Sequence, residues 1–179
     1  MKKILIISSS PRNSGNSDTL CDQFRKGALE AGHQVEKIRL NELHIDYCSA
    51  CYTCKKIGHC IKKDDMEIVV EKMRQANIIV LATPVYFYSM NAKLKTMIDR
   101  TLGVTQSPGL ENKEFYFIVT AADGKAEMER TVEGLRGYIE CLPNAKEAGI
   151  IYGDKAWQIG DIQKYPAMNK AYQMGMNIN

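Results

Sequence analysis

No apolar run in this chain of 179 residues comes near the roughly 20 residues that a membrane-crossing helix needs. The N-terminus passes from Met1-Lys2-Lys3 directly into Ile4-Leu5-Ile6-Ile7, with no secretory h-region or cleavage site. A cytosolic protein with no membrane partner is expected. Missing too is any Pro/Gly/Ser-rich linker that would separate one domain from another, so residues 1–179 read as a single domain, long enough for one well-packed core. Charge of one sign is scarce: 24 basic against 21 acidic residues leave a net +3, spread along the chain rather than gathered into a run, which argues against a nucleic-acid partner. Two phosphate-binding signatures are also absent, G-x-x-x-x-G-K-[ST] and G-x-G-x-x-G with its acidic ribose clamp. That sets aside P-loop and dinucleotide sites.

What the chain does have is alternation. Ile4-Leu5-Ile6-Ile7 and Asn77-Ile78-Ile79-Val80-Leu81-Ala82 are too short for helices and suit buried parallel strands. Val35 to Leu40 alternates only roughly and fits a strand nearer an edge, and Phe115–Thr120 and Ala148–Tyr152 complete a set of five. Helical spacing joins Leu20, Phe24, Gly27, Ala28 and Ala31, with Gly32 just beyond the end, and again Met128, Val132, Leu135, Ile139 and Leu142. A third stripe is Met90, Leu94, Met97, Ile98 and Leu102, ending at Gly103. Asp64 with Glu67 reads as a capping box for a helix running to about Gln75. Ser107-Pro108-Gly109 reads as a turn, and Ala167, Ala171 and Met174 suggest a last helix across the sheet. The class is therefore α/β, a doubly wound five-stranded parallel sheet in the order 2-1-3-4-5 with helices on both faces. Its ligand belongs at the switch point between strands one and three.

Three loops leave strands at that edge. Ser8-Ser9-Ser10-Pro11-Arg12-Asn13-Ser14-Gly15-Asn16-Ser17 is dense in hydroxyls and amides, carries one guanidinium and opens the first helix. Helix-start N–H groups and the positive dipole end make such a loop a phosphate cradle, with Ser8, Ser10, Arg12, Asn16 and Ser17 as candidate ligands. Thr83 to Asn91 follows strand three and holds three consecutive aromatics after Pro84-Val85 (Tyr86, Phe87 and Tyr88) that suit stacking on a planar ring. Ala121-Ala122-Asp123-Gly124 is small enough to let backbone approach such a ring, so Ala122, Asp123 and Gly124 join the site.

Six Cys are too many to ignore in a reducing compartment, and four of them, Cys48, Cys51, Cys54 and Cys60, form C-x2-C-x2-C-x5-C inside a segment at about 47–63. The first three match the start of a bacterial ferredoxin run, but the fourth lacks C-x3-C-P. Iron-sulfur, structural zinc and a redox dithiol all remain open on spacing alone. Cys21 reads as a packed thiol and His44 has no assigned role.

Ser10-Pro11-Arg12-x-x-Gly15-Asn16-Ser17 resembles the S-P-R-x-x-G-N-[ST] loop of the flavodoxin-like NAD(P)H-dependent FMN reductases, iron-sulfur flavoproteins included; Ser9 stands where that family usually has Gly. Thr83-Pro84-x-Tyr86 through Asn91 is similar to the family's T-P-x-Y-x-x-x-x-[NP] loop beside the isoalloxazine, and the likeness extends over nearly the whole chain. The resemblance implies a flavodoxin-like fold, FMN, NAD(P)H or a ferredoxin-like donor, and a quinone, flavin or other small acceptor. It further implies a homodimer or homotetramer and a [4Fe-4S] cluster on the four Cys. The flavin then carries the chemistry and no catalytic side chain is named. The alternative is a non-enzymatic redox carrier or sensor whose Cys cluster binds zinc or acts as redox thiols.

Overall fold

The computed structural model describes residues 1–105 and 109–179. Along the chain run β1 (Lys3–Ser8), α1 (Asn16–Glu30), β2 (Gln34–Arg39), α2 (Thr53–Ile57), α3 (Met66–Gln75), β3 (Ile78–Tyr86), β4 (Ser89–Met90), α4 (Ala92–Arg100), β5 (Glu114–Thr120), α5 (Lys125–Glu140), β6 (Lys146–Gly153) and α6 (Ala167–Met176). The parallel strands lie in the order β2-β1-β3-β5-β6, the expected 2-1-3-4-5 once the two-residue β4 is set apart. Of the turn expected at Ser107-Pro108-Gly109, Ser107 and Pro108 lie outside the described residues.

Side chains that alternate along the strands feed two cores, one on each face. Leu5, Ile7, Ile79, Leu81, Phe115, Phe117 and Val119 meet Val69, Leu94, Met97, Met128, Val132 and Leu135 on one side. Ile4, Ile6, Ile78, Val80, Tyr116 and Ile118 meet Leu20, Phe24, Ala28, Ala167 and Ala171 on the other. Each fully buried aliphatic contributes about 1.5–3 kcal/mol, so β1, β5 and the first six residues of β3, buried on both faces, anchor the sheet. β2 is one of the two edge strands, with no fully buried residue.

α1 and α6 cross at closest approach through two glycines. A Cβ on Gly27 would sit 2.1 Å from the Tyr172 carbonyl oxygen, and one on Gly175 would sit 2.1 Å from that of Phe24. Next to this crossing, the Lys2 N–H donates to His33 Nδ1 at 3.1 Å while His33 Nε2 donates to the Ile178 carbonyl at 3.1 Å. That pair of partners selects the neutral Nε2-protonated tautomer.

Four details differ from the sequence reading. Thr83 to Tyr86 extends β3 instead of opening a loop, and Phe87-Tyr88 turns the chain straight into β4, a hairpin. Met90, grouped with the α4 stripe, lies in β4 ahead of the helix. Asp64 accepts from the Met66 N–H at 3.1 Å, but its carboxylate is engaged by Arg100 at 2.6 and 2.9 Å, and Asp65 is the residue at the α3 N-cap. Leu102 falls past α4 in a 3-10 turn (Thr101–Gly103), 37 % exposed, because the helix ends before its stripe is complete.

Candidate functional site

β1 delivers the cradle to the C-terminal edge of the sheet, where the loop folds on itself. The Ser10 hydroxyl donates to the Arg12 carbonyl at 3.0 Å, and the Gly15 N–H donates to the same carbonyl at 3.2 Å. Gly15 occupies the helix N-cap, where a Cβ would lie 2.4 Å from Ser10 Oγ, so any larger residue fills the cradle. The first-turn N–H groups of α1 have no intrahelical acceptor by geometry. Ser17 adds an Oγ that is buried and has no hydrogen-bond partner among the described residues. An orphaned hydroxyl in a bed of free N–H groups is the arrangement a phosphate completes.

Two proposed ligands are used otherwise. Ser8 Oγ donates to Asp18 at 2.7 Å, beneath the loop and off the cleft wall. The Asn16 side-chain amide donates to the Ala156 and Gln158 carbonyls at 3.1 and 3.0 Å, and its Oδ1 accepts from the Ile162 N–H at 3.4 Å. Asn16 therefore pins the tail to the cradle, while Arg12 Nη1 reaches the Trp157 carbonyl at 3.0 Å. From the sheet edge, Arg39 donates to Asn13 at 2.6 Å and to the Arg12 carbonyl at 3.2 Å, which braces the loop from outside.

The hairpin on β3 stands beside the cradle. Phe87 and Tyr88 have φ of +51° and +61°, left-handed values that bulky L-residues rarely adopt and that a type I′ hairpin turn demands at both central positions. The turn drives Phe87 fully into solvent and leaves Tyr86 and Tyr88 about half exposed. Asn91 ties this hairpin down: its side chain donates to the Ser9 carbonyl and accepts from the Leu94 N–H at 3.1 Å, capping α4, while its N–H donates to Thr83 Oγ1 at 3.0 Å.

Cradle, hairpin and the β5–α5 loop enclose a cleft of about 870 Å³, within the range of small-molecule and cofactor sites. Ser10, Arg12, Asn16 and Ser17 line it, as do Pro84, Val85, Tyr86, Phe87, Tyr88, Ala122 and Asp123. Gly124 caps α5 and is not on the wall. The tail residues Ala156 and Trp157, with Lys95 and Glu127, also line the cleft and were not recognised in the sequence. Trp157, the lone tryptophan and 65 % exposed, was the one available signal among them.

The four cysteines lie on the segment between β2 and α3. Cys48, Cys54 and Cys60 are half-buried and Cys51 is exposed. Ala50 and Tyr52, with φ of +53° and +56°, flank Cys51, and hydrogen bonds from Thr53 backbone and side chain hold its thiol below the usual cysteine value. Gly103 gives Cys54 room, since a Cβ there would lie 2.6 Å from Cys54 Cβ. Among the described residues no three His, Cys, Asp or Glu side chains converge as a metal site. The donor set, four soft sulfurs on one short segment, fits a thiolate-ligated centre that would draw them together.

Among the described residues no helix is long and apolar enough to cross a membrane. Fold neighbours include an NAD(P)H:quinone oxidoreductase from Methanothermobacter marburgensis (TM-score 0.78, 17 % identity, covering 98 % of this chain and 95 % of that one). Another is the Trp repressor binding protein from Bacillus subtilis (TM-score 0.74, 20 % identity, 98 % and 99 %). In sequence, an iron-sulfur flavoprotein of Archaeoglobus fulgidus is 36 % identical over 128 residues, 71 % of this chain and 58 % of that relative, so the match spans somewhat over half its length. A second from the same organism is 36 % identical over 170 residues, 87 % and 84 %. One from Methanocaldococcus jannaschii is 31 % identical over 136 residues, 76 % and 70 %. Residues 2–146 match the family model NADPH-dependent FMN reductase. With the flavodoxin-like sheet and its loops already in place, that match over most of its length means the chain belongs to the NADPH-dependent FMN reductase family.

Proposed function

We propose that the protein is an FMN-dependent oxidoreductase that takes electrons from NAD(P)H, or from a ferredoxin-like donor, and passes them to a quinone, flavin or other small acceptor. The carrying observation is the buried, unpartnered Ser17 hydroxyl at the start of α1, in a cradle that Gly15 keeps open. In this reading Ser10, Arg12, Ser17 and the first N–H groups of α1 hold the FMN phosphate. Pro84 to Tyr88 and Ala122-Asp123 flank the ring. Bound flavin supplies hydride and single-electron chemistry. The chain's own role is to orient the ring, offer backbone hydrogen bonds and exclude water with the hairpin and Trp157.

The four cysteines are assigned to a [4Fe-4S] cluster, supported by the spacing and by relatives that carry the name iron-sulfur flavoprotein. A second copy of the chain covering the aromatic hairpin completes the proposal. Titration of flavin-free protein tests the core of it: FMN should bind at least ten-fold more tightly than riboflavin, and NAD(P)H oxidation should follow on adding a quinone. Equal affinity for the two flavins would overturn the cradle assignment. Iron and labile sulfide in anaerobically prepared protein test the cluster separately.

A further inference from the structure

The Cys-rich segment enters at Asp46 and leaves at Asp64, and both ends are fastened to one buried ion pair. Arg100 Nη1 meets Asp64 Oδ2 at 2.6 Å and Nη2 meets Oδ1 at 2.9 Å, with the two side chains 1 % and 3 % exposed. The same Nη1 donates to the Asp46 carbonyl at 2.7 Å, and the Asp46 N–H donates to Asp64 Oδ2 at 3.1 Å. One step further out, the His44 N–H donates to Asp65 Oδ2 at 2.7 Å and the Asp65 N–H to the His44 carbonyl at 3.0 Å. Both feet of the segment are thus held to each other and to the end of α4.

A buried ion pair is a poor device for stability alone, because well-packed apolar residues in its place do as well or better. Here the fork makes bonds to Asp46 that an apolar pair has no means to make. Arg100 Nε is buried without a hydrogen-bond partner among the described residues. Cys60 lies beside this guanidinium. Arg100 and Cys60 also share the wall of the cleft next to α3.

We propose that Asp64 and Arg100 form a clasp that pre-closes the Cys-rich segment and presents a guanidinium N–H to the Cys60 thiolate when four sulfurs gather on a metal centre. The inference rests on the reading of the four cysteines as metal ligands. Closing a loop costs chain entropy, and a clasp made during folding removes that cost before the metal arrives. A donor to a ligating sulfur also orients and tunes it, and loss of such a partner typically weakens metal binding ten- to hundred-fold. Both are positioning residues, since neither ligates the centre.

The test uses full-length protein prepared without oxygen and titrated with Co2+, whose thiolate absorption bands report sulfur ligation directly. Two variants are compared with the parent: Asp64→Asn with Arg100→Met, which removes both charges and leaves no orphaned ion, and Arg100→Lys, which keeps the charge but loses the fork. Co2+ affinity should fall ten- to hundred-fold in both while FMN affinity stays unchanged. Parent protein that takes up no Co2+ with thiolate bands overturns the four-cysteine reading itself. Variants that bind Co2+ as tightly as the parent overturn the clasp and leave that reading standing. Should the variants fail to fold, hydrogen exchange on metal-free parent protein decides: Asp46 and Asp65 amides protected well beyond those of Ala50 and Tyr52 support the clasp, and uniform rapid exchange removes it.

Discussion

The Asn91 side-chain amide donates to the Ser9 carbonyl, and this one bond joins the end of the β3–β4 hairpin to the end of β1. Asn91 also caps α4, and both partners are buried. Asn91→Ala removes a cap worth about 1 kcal/mol and leaves a buried carbonyl unpaired at about 1–3 kcal/mol. A loss near 3 kcal/mol in denaturant unfolding is expected. FMN and riboflavin affinities should fall together, because the cradle and hairpin lose their fixed spacing. Unchanged stability would mean that water or a neighbour replaces the bond.

The phosphate cradle makes a sharper demand. Ser17→Ala should weaken FMN by about ten-fold, equivalent to roughly 1.4 kcal/mol, and leave riboflavin alone. Gly15→Ala should do the same or more, since the new methyl would meet Ser10 Oγ at 2.4 Å. Calorimetric titration with the two flavins checks both. Asn16→Ala belongs to a different class: its side chain holds the tail, so that change should loosen Trp157 and cost stability with or without flavin.

Phe87 is held at φ +51° with its ring fully in solvent. Left-handed backbone costs an L-residue about 1–2 kcal/mol, which glycine escapes. Phe87→Gly should therefore raise the unfolding free energy by about 1 kcal/mol while weakening the flavin or shifting its spectrum. A stabilised variant with unaltered flavin would free Phe87 from the cofactor and leave it to an interface.

Acid should find the clasp. Burial by itself would raise the Asp64 carboxyl, but the Arg100 guanidinium and the Asp46 and Met66 N–H groups outweigh it and hold the carboxyl below the usual carboxylate range. The unfolded chain then binds this proton more readily than the folded one, so the contribution is complete above the ordinary carboxylate value and is lost as pH falls through the depressed one. Asp64→Asn, which leaves Arg100 buried without its counter-ion, should cost about 3–5 kcal/mol at pH 7, and the gap to the parent should narrow on acidification. Thermal melts from pH 7 down to about pH 3, across the carboxylate range, follow it.

The strands were legible because Ile4–Ile7 and Ile78–Ala82 are buried on both faces, which erases alternation and leaves plain apolar runs. α1 and α5 were legible for the opposite reason, a single apolar stripe each. The Phe87-Tyr88 turn was hidden since neither residue is the Asn or Gly that announces such a hairpin. The roles of Asn16 and Asp64 were hidden by distance: their partners lie 140 and 36 residues away, and local capping or phosphate chemistry explained each residue well enough on its own. Sequence reading favours the nearest partner, whereas a folded chain satisfies a buried amide or carboxylate with whatever the topology brings alongside.

The α1–α6 crossing sets a tight limit on sequence. Gly27→Ala or Gly175→Ala would press a methyl into a carbonyl at 2.1 Å, and a loss of about 3 kcal/mol is expected as the helices are forced apart. Urea unfolding would register it as a lower midpoint with an unchanged slope.

His33 spans residues 2 and 178 with a single imidazole, one ring nitrogen to each. The chain just before β1 and the chain just after α6 are therefore held side by side. A short Gly-Ser bridge from 178 to 2 would make the chain a ring, and cutting that ring at the exposed Asn144 turn between α5 and β6 would leave the cradle, the hairpin and the clasp each on unbroken stretches. In such a permuted chain β6 would come before the cradle and the hairpin instead of after them. That rearrangement would separate what the site owes to its packed neighbours from what it owes to the order of folding.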